Sequence, residues 1–316
     1  MKRYILTIIL AAAAAISLKA EIRLPDIMSD NMVLQQNSSA KIWGWAEHGS
    51  TVTVTVSWNR SKYTTTADGH GKWIVSVNTP PATRAPQSIS IREDKGKPTS
   101  IENVLIGEVW LCSGQSNMQM QMRGYLNQPV EDAAEEILNS GEHNDIRVVT
   151  IPKRAALEPQ ESVDGRWMTP SPENTAQFSA VAWFFARRLE SMLDVPVGII
   201  SCSWGGSSIT GWMPEWLLTG LGYKNAKTRA ADEKLKNGRP TVMYNGMLHP
   251  MHDYAVRGFL WYQGCSDVSE YKNYAHFQAE MVNHWRASVL FRGDCPVRLC
   301  AWKEGLYAPG TAAEMS

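Results

Sequence analysis

Residues 104 to 120 constrain the fold of this chain more than any other stretch. Val104-Leu105-Ile106 and Val109-Trp110-Leu111-Cys112 form an almost continuous apolar run around Gly107-Glu108. This is the pattern of a strand buried on both faces of a parallel sheet. The run breaks at Gly114, and Gln115-Ser116-Asn117 place small polar side chains where the strand ends. In open α/β sheets, ligands bind at the carboxyl ends of strands. A serine on such a turn exposes its hydroxyl while its own N–H points into the same space. Acyl transfer needs that arrangement, because donors must meet the negative oxygen developing beside the nucleophile. The same residues could instead simply cap the next helix.

The block Gly107-Glu108-Val109-Trp110-Leu111-Cys112-Ser113-Gly114-Gln115-Ser116-Asn117-Met118 resembles the first block of the sialate O-acetylesterase family, within the SGNH-type hydrolases. The resemblance implies a three-layer α/β/α domain with a parallel sheet and makes Ser116 the nucleophile. The spacing differs from the G-x-S-x-G elbow of α/β-hydrolases, a fold therefore not expected here.

A length of 316 residues allows two domains or one large one. The 31 basic and 31 acidic residues cancel, and no basic stripe points to nucleic acid. Residues 1–20 read as a signal peptide: Lys2 and Arg3, an apolar stretch over Ile5–Ile16, then Ser17-Leu18-Lys19-Ala20 before the cleavage point. The apolar part is too short for a comfortable membrane span. The expectation is an exported protein, periplasmic or secreted, with no membrane association in its mature form. Five cysteines fit no metal motif, and Cys112 and Cys202 read as buried thiols at strand ends.

Residues 21–103 form a first unit. Thr51–Val56 alternates with period two, Trp73–Val77 does so more loosely, and Ile89-Ser90-Ile91 follows, with turn residues between the runs. Short strands without a helical period predict a small all-β sandwich or jelly roll. Leu24-Pro25, Met32-Val33-Leu34-Gln35 and Ile42-Trp43-Gly44-Trp45 are similar to the N-terminal β-domain of the same family. Trp43 or Trp45 could bind sugar there, although a rigid cap is the simpler role. Glu93–Ser100 reads as a charged linker, with the second unit occupying 104–316. Within it, Glu131–Leu138 predicts a short helix and Ile146–Ile151 a strand. Phe178–Leu193 predicts an amphipathic helix with apolar positions 178, 181, 184, 185, 189 and 192. Alternating strands and helices imply βαβ construction.

Pro196–Ser201 is the next buried strand and runs into Cys202-Ser203-Trp204-Gly205-Gly206-Ser207. Adjacent glycines at a strand end let a backbone N–H approach a ligand. This resembles the family's second block, which implies an oxyanion-hole role for Gly206, with Gly205 the rival. Trp204 and Trp212 are candidate substrate contacts, and Trp216 lies beside them; lysines and arginines of the polar stretch 215–239 could meet a sialic acid carboxylate. Phe259–Tyr262 followed by Gln263-Gly264-Cys265-Ser266-Asp267 resembles the third block, in which the residue at 267 donates to the oxyanion and Gln263 lies at the substrate. Position 265 is Cys where the family commonly has Glu, and 267 is Asp where Asn is usual. An ionised carboxylate cannot donate a hydrogen bond, so Asp267 would have to be protonated or hold backbone donors instead.

A serine needs a base. The family carries it as a histidine three residues after an aspartate, near the C-terminus. None of the seven histidines has that spacing, and none follows His284. A fragment ending before the base, a substitute at His252 or His249, and a degenerate hydrolase are the three readings. The expected function is a carbohydrate O-acetylesterase acting on acetylated sialic acid or a related glycan, without metal or cofactor. The alternative is a fragmentary or inactive hydrolase that binds glycans.

Overall fold

The computed structural model describes residues 22–224 and 237–287, and the backbone of 297–299. The expected leader, most of the basic excursion after 224, and the tail with Cys295 and Cys300 lie outside the described residues. Eleven strands are described. β1 (Val33–Gln35), β2 (Ser39–Trp45), β3 (Thr51–Val56), β4 (Lys62–Thr66), β5 (Lys72–Asn78) and β6 (Thr83–Glu93) precede the long β7 (Thr99–Gly114). β8 (Ile146–Thr150), β9 (Val197–Ser203), β10 (Gly258–Tyr262) and β11 (Val297–Leu299) follow.

β7 is sixteen residues long and works in two settings. Its first half pairs antiparallel with β6 and parallel with β1, continuing the order β4-β3-β6-β7. Its second half lies between β9 and β10, both parallel to it, with β8 and β11 outside them. β2 and β5 form a separate antiparallel pair. The linker reading of 93–100 is corrected by this topology. Glu93 ends β6, Thr99 opens β7, and the residues between them are a hairpin turn joining two paired strands. Gly and charged residues serve a tight turn and a linker equally well in sequence. The expected boundary at 103/104 falls inside β7.

Alternation along the parallel strands sends side chains to two cores. Trp110, Cys112, Val148, Ile199 and Leu260 pack with helix α4 (Ala180–Leu193). Leu111, Val149, Ile200, Phe259 and Trp261 pack with α6 (Tyr271–Ala287) through Phe277, Met281 and Trp285. Helix α4 forms where expected, but its buried stripe runs through Ala182, Trp183 and Ala186, while Phe184 and Met192 are exposed. The two alanines allow close approach, and the Trp183 indole N–H donates to Glu136 at 2.9 Å on the neighbouring α2 (Ala133–Asn139). Two further short helices are α3 (Pro172–Thr175) and α5 (Glu215–Gly220). Among the described residues, no helix is long and apolar enough to cross a membrane.

Candidate active site

The register aligns three strand ends. Gly114 pairs with Ser203 on β9 and with Tyr262 on β10. The turns after the three strands therefore open side by side, and they carry the three sequence blocks singled out above. Gly114 has φ +141°, and a Cβ there would lie 2.2 Å from the Tyr262 carbonyl oxygen. Only glycine fits this close approach.

Ser116 begins α1 (Ser116–Gln119), a single turn, and is exposed. Met118 beneath it is fully buried, and the Ser179 hydroxyl donates to its carbonyl at 2.6 Å. Two glutamines flank the serine, and both act as clamps. Buried Gln115 accepts through Oε1 from the N–H of Gly264 at 3.0 Å and of Ser266 at 3.3 Å. Gln119 accepts from the N–H of Gly205 at 2.7 Å. A Cβ placed on Gly205 would lie 3.5 Å from the Cβ of Ser116. The Gly205 N–H is thus occupied, whereas the N–H groups of Ser116 and Gly206 donate to no described residue. Gly206 is exposed at φ +73°.

Asp267 is buried at 4% exposure and acts as an acceptor. Its carboxylate receives the Ser208 hydroxyl at 2.6 Å, the Ile209 N–H at 3.0 Å and the Gln263 side-chain amide. It thereby fixes the chain that follows Gly206. Gln263 also donates to the Ser207 carbonyl at 2.8 Å, and its own oxygen accepts from Tyr274. Burial pushes the Tyr274 phenol well above its ordinary pKa, so it stays a donor. Gln263 is therefore saturated by protein partners rather than presented to a ligand. Trp212 is fully buried, edge-on to Trp261, with its N–H on Ser207 at 3.0 Å. Gln263 and Trp212, two of the three expected substrate contacts, are thus buried and engaged by protein partners. Trp204 is half-buried at the rim, with its backbone N–H donating to the Gly114 carbonyl at 3.0 Å.

The histidine candidates lie elsewhere. Nδ1 of His249 meets the Gln160 carbonyl at 2.8 Å, and Nδ1 of His252 meets the His249 carbonyl at 2.6 Å. Their rings stack at 4.9 Å and line a cleft beside Trp43 and Trp73. Among the described residues, no histidine hydrogen-bonds to Ser116. No group of three or more metal-ligating side chains gathers among them either. Cys112 and Cys202 are buried thiols, and burial pushes the Cys202 pKa upward; Cys265 is exposed. Gln115 and Gln119 were not singled out by the sequence. The available signal was their spacing of four residues around Ser116, which puts both at the base of one helical turn.

Fold and site together describe an α/β protein whose polar residues gather at the carboxyl ends of parallel strands, the general location of ligand sites in such sheets. The family model for "carbohydrate esterase, sialic acid-specific acetylesterase" matches residues 106–293, and the chain belongs to that family. It is 32% identical over 262 residues to the sialate O-acetylesterase of Pongo abelii, covering 78% of this chain and 49% of that protein. The Homo sapiens sialate O-acetylesterase is 31% identical over the same coverage. The chain thus spans about half the length of these relatives. The crystal structure of a carbohydrate acetylesterase from Xanthomonas citri superposes with a TM-score of 0.77 at 30% identity, covering 88% of this chain and 60% of that one.

Proposed function

We propose that the chain is a carbohydrate O-acetylesterase using Ser116 as nucleophile, on an SGNH-type three-layer domain preceded by a β-sandwich unit that shares β7. The observation that carries this reading is the alignment of Gly114, Ser203 and Tyr262, which brings the exposed Ser116 hydroxyl to the Gly205-Gly206 turn. Ser116 Oγ would bond to the acetyl carbon, its proton passing to a base, while the sugar oxygen leaves as the alcohol. Water then hydrolyses the acetyl-enzyme. The N–H groups of Ser116 and Gly206 face the oxyanion, and Asp267 holds the second of them in place. Removing one such donor typically costs about 10²–10³ in rate. The acetylated substrate is a sialic acid or a related glycan, and the protein acts after export.

A second reading is favoured by one observation: no described histidine reaches Ser116. In that reading the chain binds acetylated glycans without turnover. Acetate release by residues 21–316, from O-acetylated sialic acid and acetyl-xylan, separates the two. Turnover that falls by at least about 10³-fold in Ser116→Ala supports the esterase, since loss of a catalytic serine alone costs about that much or more. Equal background from both proteins supports binding alone.

A further inference from the structure

Both backbone polar groups of Gly205 are taken by side chains far away in sequence. Gln119 accepts from its N–H, and the half-buried Asn237 donates its side-chain amide to its carbonyl. The same amide nitrogen lies against Gly206, where an added Cβ would sit 3.1 Å from it. The Gly205 carbonyl and the Gly206 N–H belong to one peptide unit. That unit is planar and trans, so its C=O and N–H point in opposite directions. A donor that fixes the carbonyl therefore fixes the N–H as well, and turns it away from Asn237. Ser116 is the other neighbour of this peptide: a Cβ on Gly205 would lie 3.5 Å from the Ser116 Cβ and 3.6 Å from its Cα.

A peptide between two glycines needs such a restraint, since neither residue has a Cβ to limit its rotation. The carboxylate of Asp267 acts beyond it, on Ser208 and Ile209, and the Gln119 bond acts before it. Among the described residues, the Asn237 bond is the hydrogen bond made by the peptide itself. The segment that carries Asn237 is anchored in turn. A Cβ on Gly211 would lie 3.5 Å from the Asn237 carbonyl oxygen, so this segment passes close over the turn Ile209–Trp212. Four residues on, the Thr241 N–H donates to the Thr210 carbonyl at 3.0 Å. Thr241 is buried at φ +65°, a conformation that a β-branched residue keeps only where its surroundings impose it.

We infer that Asn237 is a positioning residue of the oxyanion site: by holding the Gly205 carbonyl it aims the Gly206 N–H at the space beside Ser116. The inference rests on the serine esterase reading and deepens it, adding a side chain from outside the three sequence blocks. Gly205–Gly206 is the only glycine–glycine step in the chain. Glycine labelled with carbon-13 at its carbonyl and nitrogen-15 at its amide therefore yields a single carbonyl–nitrogen correlation, that of this peptide. The correlation is recorded for the full-length chain, Asn237→Ala and Asn237→Asp, and the same proteins are assayed for acetate release. Asn237→Asp keeps the size of the side chain, but an ionised carboxylate has no proton to donate. Both variants should move the carbonyl carbon signal upfield and lower kcat by about 10²-fold, with KM little changed. An unmoved signal in either variant, full kcat in either, or a loss carried by KM alone overturns the inference. Absence of acetate release by the unmutated chain tells against the esterase reading instead, and the signal of the labelled peptide then decides the role of Asn237 by itself.

Discussion

Gln115 and Gln119 stand on either side of Ser116, and each spends its side-chain oxygen on a neighbouring turn rather than on a ligand. Gln115→Ala leaves the buried N–H of Gly264 without its acceptor, and removes a second, partly exposed contact from Ser266. A lost partner of this kind costs about 1–3 kcal/mol, which a lower urea midpoint would register. Gln119→Ala frees the Gly205 N–H and releases the turn that faces the serine. Small displacements at a reacting centre can cost about 10²-fold. A fall of that order in kcat for acetate release is expected, with a smaller change in KM and in thermal midpoint. His249 and His284 predict a pH effect. Burial lowers the pKa of both below the ordinary value, so the unfolded chain binds protons that the folded chain does not. Stability therefore falls as pH drops through about 6.5, the unfolded value, towards the depressed folded value, and is fully present above that window. His284→Phe keeps a ring against Trp216 and Tyr244 and should shrink the loss in urea midpoint between pH 7.5 and 5.5.

Among the elements, β7 has the deepest setting. Its residues from Val104 to Gly114 are all buried, and it is flanked on both sides by parallel strands where Ser116 is launched. Backbone hydrogen exchange should be slowest for Val109–Ser113 and much faster for β4, which lies at a sheet edge with alternating exposure. The buried parallel strands were legible because runs such as 197–200 and 259–262 have no polar face to misplace. The start of β7 at Thr99 was not, since Ser100 and Glu102 interrupt the apolar pattern in the stretch that pairs with β6. The face of α4 shifted because Trp183, flanked by small alanines, outweighs the periodic phenylalanines. The three turns were legible as blocks. Their fastening was not, because Gln115 and Gly264 are 149 residues apart and Gln119 and Gly205 are 86 apart. A glutamine carries no local mark of so distant a partner. Asp267 shows the same gap: residue type said that a carboxylate cannot donate, but only the structure supplies the three donors that it receives.

At the scale of the molecule, the β-rich N-terminal part and the parallel sheet are joined by more than β7. The Gln35 side chain accepts from the Val109 N–H at 2.9 Å, Tyr254 donates to the Val33 carbonyl at 2.8 Å, and the Trp167 indole donates to the Ile27 carbonyl at 2.9 Å. Arg84 on β6 forms ion pairs with Asp145 and Asp194. One apolar cluster runs from Ile42 and Trp73 through to Phe259 and Trp285. A single thermal transition is expected, with calorimetric and van't Hoff enthalpies in agreement; two resolved transitions would show that the parts melt independently. The unbroken β7 also limits how such a chain can be recombined. A crossover that replaced the N-terminal part with a foreign module would have to cut through a continuous strand, since its upstream half completes one sheet and its downstream half aims the serine. Chimeras joined at 103/104 should therefore inherit neither part intact. Those that carry all of β7 together with β1 and β6 keep the pairing of the fold, so the exchangeable unit is larger than the β-rich N-terminal part alone.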